Sequence, residues 1–102
     1  RRQLVAEFER EFAALQADAL LYPTVACVPP PISATEDAEQ ARRVNLRCLR
    51  NTATVNTFDG CAISLPCHER GAAPVGLMLS AANGNDEALY RIAAAVEAAL
   101  PR

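Results

Sequence analysis

Two apolar segments joined by a short polar loop restrict this chain more than any other feature. In Cys61-Ala62-Ile63-Ser64-Leu65-Pro66, an extended backbone puts Cys61, Ile63 and Leu65 on one face and Ala62 and Ser64 on the other. In the segment 75–80, Val75, Leu77 and Leu79 alternate with Gly76, Met78 and Ser80 in the same way. The loop between them carries Gly71 and the solvated trio His68, Glu69 and Arg70. It is too short for a parallel crossover, so the two strands are expected to pair antiparallel. Each strand has an apolar face and a small-residue face, which lets covering helices come close.

The rest of the chain supplies those helices. Leu4, Phe8, Phe12 and Leu15 form one stripe at helical spacing and predict an amphipathic helix over 1–17. Ala19-Leu20-Leu21-Tyr22 stops at Pro23 and reads as a strand covered on both faces. Pro29, Pro30 and Pro31 then hold an extended connector. Ser33-x-x-Glu36 has the form of a capping box, with Thr35 as the rival N-cap, for a helix over 36–51. Arg43, Arg47 and Arg50 form a solvated stripe along it. Asn85 is the expected N-cap of a last helix over 86–100, with Asp86 and Glu87 in its positive first turn.

Composition narrows the function classes. The chain has 102 residues, 51% of them apolar, enough for one small unit spanning 1–102. A net charge of −2 gives no basic footprint for nucleic acid or an anionic membrane. No apolar run approaches the ~20 residues of a bilayer span. The four cysteines form no C-x-x-C and are expected as reduced thiols in the cytoplasm. Cys67 and His68 are adjacent in an extended segment and point apart, so no metal or cofactor site is expected there.

From its own chemistry the chain offers no active site. Its only serines are Ser33, Ser64 and Ser80, and no G-x-S-x-G elbow surrounds any of them. His68 is the only histidine, the glycines are scattered, and there is no lysine.

The stretch from Thr52 to Leu79 resembles the C-terminal part of the amidase signature family. The usual pattern there is T-x-x-x-N-x-x-G-x-P-A-x-S-x-P, a variable loop, then P-V-G-L-Q. Thr52, Asn56, Ala62, Ser64, Pro66, Pro74, Val75, Gly76 and Leu77 fall on it, and Asp18-Ala19-Leu20-Leu21 with Pro23-Thr24 resembles the family's D-A-L-L-x-P-T. The departures are Asp59-Gly60-Cys61 in place of G-x-P, and Met78 in place of Gln. The Asp-x-Cys variant resembles members of the allophanate hydrolase type, which act on small urea-like amides.

The resemblance implies an α/β segment: amphipathic helices on a mixed sheet, part of a larger α/β/α fold. It implies a parent that hydrolyses a small amide with a Ser-Ser-Lys triad lying upstream of this region. Carried over residue by residue, Thr24, Thr52 and Asn56 border the substrate pocket. The competing reading of Thr52 and Asn56 is a hydrogen-bonded turn between helix and strand. The chain alone is then expected to be inactive, and its start at Arg1 without Met is expected of a segment of a longer chain. Its helices are expected to cover only one face of the sheet, leaving edges and apolar surface that drive self-association as a two-fold dimer. The alternative is a non-catalytic interaction or oligomerisation module on the same scaffold.

Overall fold

A computed structural model describes residues 1–101. Helix α1 spans Arg2–Ala14, strand β1 Leu20–Pro23, helix α2 Ala38–Thr57, strand β2 Cys61–Pro66, strand β3 Gly76–Ala81 and helix α3 Asp86–Ala99. The strands form one sheet in the order β1-β3-β2. The fold is α/β, as the sequence implies. Among the described residues every pairing is antiparallel, where the resemblance implied a mixed sheet. The turn into β3 is short and makes an antiparallel pair, while β1 and β2, joined through α2, run in the same direction but are kept from pairing by β3 between them.

Register assigns the faces. Leu21, Leu79 and Ile63 lie in one row, and Pro23, Leu77 and Leu65 in the next. This face meets α3: Leu65, Leu79, Ala81, Leu89 and Ala93 make one buried cluster, with Ile63, Ile92 and Val96 against it. The other face carries Leu20, Ser80 and Ala62, then Tyr22, Met78 and Ser64. Here Phe8 of α1 and Val55 and Phe58 from the end of α2 close over Leu20, Tyr22 and Ser80 around a small cavity of about 50 Å³. Phe8 stacks on Phe58 with ring centroids 4.3 Å apart. Ser80 is buried and donates to Tyr22 Oη at 3.3 Å. Helices therefore lie on both faces, where the sequence reading expected one.

Strand β1 is less covered than its apolar run implies. It is an edge strand, and Leu21, at the outer end of its row, is 58% exposed. The α3 helix packs mainly on β2 and β3.

Helix α2 departs most from the sequence reading. It starts later, because Asp37 and neither Ser33 nor Thr35 caps it. The Asp37 carboxylate accepts from Gln40 N at 3.0 Å, while Ile32–Thr35 forms a separate 3-10 turn with Thr35 Oγ1 donating to Ile32 O. It also runs through 52–57, which the sequence reading broke into a turn. The threonines there return their hydroxyls to the helix itself: Thr52 to Leu49 O, Thr54 to Arg50 O and Thr57 to Ala53 O. Such back-bonding lets threonine sit in a helix without an unpaired hydroxyl.

The end of α2 is closed by a Schellman arrangement. Gly60 N donates to Val55 O at 3.0 Å and Asp59 N to Asn56 O at 3.2 Å, with Asp59 left-handed at φ 57. The position where the resembled pattern has glycine is the one that needs positive φ. Gly60 then passes so close to β3 that a Cβ on it would lie 2.6 Å from Ala81 O. The last helix starts as expected, but Asn85 makes no cap; its amide donates to Ala82 O at 2.8 Å.

Candidate functional site

The loop that follows β1 bends over the small-residue face at the Gly76 end of β3. Its path is fixed at both sides. Thr24 N donates to Gly76 O at 2.9 Å, extending the β1–β3 ladder by one residue, and Asn51 Nδ2 of α2 donates to Pro23 O at 2.7 Å. Prolines carry no N–H, so the segment from Pro29 to Pro31 cannot add to a ladder and stands away from the sheet. The space beneath is a mostly apolar cavity of about 560 Å³. The loop contributes Thr24, Val25, Cys27 and Val28; α2 contributes Cys48; the sheet contributes Ser64, Pro66 and Gly76. His68, Pro74 and Val75 of the β2–β3 loop close one side.

The polar groups of this cavity are few and already partnered. Thr24 Oγ1 and Ser64 Oγ are 2.5 Å apart, with either able to donate. They meet over Gly76, where a Cβ would lie 2.6 Å from Ser64 Oγ and 2.8 Å from Thr24 Oγ1. Glycine is thus what lets the hydroxyl pair form. Val75 N donates to His68 Nδ1 at 3.2 Å, and Val75 O lies 3.4 Å from the same nitrogen, so the ring is held against the Val75 backbone. Cys67 N donates to Val75 O at 3.0 Å and continues the β2–β3 pairing beyond the strands.

Chemically, a hydroxyl pair in an apolar cavity can donate to and accept from a carbonyl or amide group. It does not constitute a nucleophilic centre, which needs a base on the attacking hydroxyl. Ser64 bonds Thr24, and His68 bonds backbone. Among the described residues no group of three His, Cys, Asp or Glu side chains is placed to hold a metal ion.

The structure separates the three residues that the resemblance brought together. Thr24 lines the cavity. Thr52 lies on α2 with its hydroxyl on Leu49 O. Asn56 borders a shallow depression with Arg1, Leu4 and Ala53, and its carbonyl accepts from the Arg1 guanidinium at 2.8 Å. Residues that sequence reasoning passed over as structural or solvated, Ser64, His68, Cys27 and Cys48, share the cavity with Thr24. The sequence signal for Ser64 was its place on the family pattern; the others carried none.

The four cysteines are all free thiols. Cys48 is raised above the usual thiol pKa by burial and by the neighbouring Cys27 thiol. Cys61 is raised by burial and by the Asp86 carboxylate. Its thiol points at Ala81 O and Ala82 O, away from the cavity.

The sequence profile of the amidase family matches residues 1–90. The chain belongs to the amidase family. Among relatives, this amidase-family chain is 35% identical over 82 residues to 2-amino-5-chloromuconic acid deaminase of Comamonas testosteroni, covering 79% of the chain and 18% of that protein. It is 38% identical over 86 residues to a glutamyl-tRNA(Gln) amidotransferase subunit of Salinispora arenicola, covering 83% and 17%. The same subunit from Streptomyces avermitilis is 34% identical over 101 residues, covering 97% and 19%. The chain thus spans under a fifth of the length of the curated relatives it matches. No solved structure matches it. No helix among the described residues is long and apolar enough to cross a membrane.

Proposed function

We propose that this chain is the C-terminal portion of an amidase signature hydrolase, which supplies sheet strands and a pocket wall to a Ser-Ser-Lys triad carried upstream. The observation that carries this is the cavity under the proline loop. It holds a paired Thr24–Ser64 hydroxyl couple suited to an amide or carbonyl, and no base that activates either oxygen. The sequence contains no lysine to play that role. In this reading Thr24 faces a small substrate with an amide-type C–N bond, and the names of the relatives, a deaminase and an amidotransferase, accord with chemistry at nitrogen. Thr52 and Asn56 act through α2, which Asn51 fastens to the loop bearing Thr24. The reduced thiols suit the cytoplasm.

Alone, the chain should self-associate. Strands β1 and β2 are paired on one side only, and Leu21, Ile32 and Leu49 are exposed. Light scattering at micromolar to millimolar concentration should find a dimer, and a monodisperse monomer would contradict this. The decisive test of the functional reading is the gene upstream of Arg1. It should encode, in frame, a lysine and then a Gly/Ser-rich segment with two serines. A stop codon or an unrelated domain there would sink the reading and leave a non-catalytic interaction module on an amidase scaffold.

A further inference from the structure

Two of the four cysteines are brought together by tertiary structure, and neither has a structural task. Cys61 is engaged with Ala81 O and Ala82 O, and Cys67 with Val75 O at 3.6 Å. Cys61 and Cys67 sit at opposite ends of extended β2, on the order of 20 Å apart at ~3.3 Å per residue, so they cannot bridge. Cys27 and Cys48 have no such carbonyl partner and line the same cavity. The backbone explains why they meet. Asn51 of α2 bonds the carbonyl of Pro23 at 2.7 Å, and Cys48 lies one turn before Asn51 on the same helix face. Beyond the loop, the Ile32–Thr35 turn packs on α2, so the loop leads from Asn51 back toward the start of that helix, and the Cys27 thiol neighbours that of Cys48. Both side chains are partly exposed.

We propose that Cys27 and Cys48 are an oxidisable dithiol, which a hydroperoxide converts into a disulfide that pins the proline loop to α2 at the wall of the cavity. The step balances as a two-electron oxidation. One thiolate attacks the O–O bond, forming a sulfenic acid and releasing one water or alcohol. The second thiolate attacks that sulfur, the S–S bond forms, and the second oxygen leaves as water. The loop is free to accept the bond because its proline segment carries no ladder hydrogen bonds, while Thr24 and Pro23 hold its base. The raised pKa of Cys48 limits the thiolate, so oxidation should quicken as pH rises toward and past the ordinary thiol range. The consequence is a cavity whose mouth is fixed in the oxidised chain and adjustable in the reduced one. This pairing does not depend on what the cavity binds.

The test treats the full, folded chain with hydrogen peroxide at several pH values, quenches with an alkylating agent and digests with trypsin. Cleavage at arginine separates the three possibilities: Cys27 falls in 11–42, Cys48 in 48–50, and Cys61 and Cys67 together in 51–70. The expected result is loss of two of the four titratable thiols, a mass about 2 Da lower, and a cross-linked pair joining 11–42 to 48–50. The yield should be independent of protein concentration and reversed by dithiothreitol. Cys27→Ser and Cys48→Ser should each abolish the link, while Cys61→Ser and Cys67→Ser should leave it. Should a serine variant fail to fold, the wild-type peptide map alone decides. Sulfinic or sulfonic acid at Cys27 or Cys48 with no link would overturn the proposal. So would a link involving 51–70, or only intermolecular dimers.

Discussion

The two faces of the sheet are built on different principles. On the α3 face, Leu65, Leu79, Leu89 and Ala93 pack into a buried cluster in which Leu79 is 1% exposed. Toward the Gly76 end of the other face, the covering is a proline loop and the middle of α2 around Cys48 and Asn51. Val25, Val28, Ile32, Leu46 and Leu49 remain open there, and a cavity of about 560 Å³ lies beneath. The first arrangement satisfies itself. The second holds polar groups in position, with apolar surface left over for something else to touch. The packed core thus lies on one side of the three-stranded sheet and the open cavity on the other.

Truncation should show that division most strongly. Leu79→Ala should cost about 2–5 kcal/mol, the range for emptying a packed leucine site. Ile32→Ala, at a side chain 86% exposed, should stay within about 0.5 kcal/mol. Chemical denaturation of both variants measures the difference, and equal losses would erase the contrast between the faces.

Gly76→Ala sharpens the view of the cavity side. The new Cβ would press on Ser64 Oγ and Thr24 Oγ1, so the pair must separate, at a cost of about 1–3 kcal/mol. A crystal structure of the variant with the hydroxyl pair intact would show that the glycine is not what permits it. A smaller effect of opposite sign is expected at the end of α2. Asp59 adopts φ 57, and its ion pair with Arg1 is long, at 3.8 Å, and exposed. Asp59→Gly should therefore stabilise the chain by roughly 0.5–1 kcal/mol, read as a raised denaturation midpoint.

The smallest effect concerns pH. The folded chain holds the Cys61 thiol above its unfolded pKa of roughly 8.5, through burial and the Asp86 charge. The contribution is complete below the unfolded value and is lost as pH rises through the folded one. Stability should decline at alkaline pH, and the decline should be shallower in Cys61→Ala. An unchanged slope would assign the alkaline loss elsewhere.

How much of this could be read from sequence differed between the two faces for a physical reason. Strand β2 was legible at its residue bounds and α3 nearly so, because the α3 face is a regular alternation meeting a regular helical stripe. The antiparallel pairing followed from the loop length. Helix α2 was misjudged at both ends, because each end is decided by competition among side-chain oxygens. Asp37 takes the cap ahead of Ser33 and Thr35, and Thr54 and Thr57 are reconciled with the helix by bonds to carbonyls one turn back. The cover on the second face was missed because it rests on Phe8 meeting Phe58, a contact between the two ends of a long excursion. The cavity was only half legible. Thr24 and Ser64 lie on family patterns, but the meeting of Cys27 with Cys48 depends on how the loop returns along α2, and no local spacing encodes that.

The cavity face, on this account, offers a pocket wall and no nucleophile of its own. The most direct measurement is amide hydrolysis by the purified chain, assayed against a panel of small amides beside its Ser64→Ala and Ser80→Ala variants. No turnover above the buffer rate is predicted for any of the three. Saturable hydrolysis by the unaltered chain, abolished by Ser64→Ala or Ser80→Ala, would contradict it.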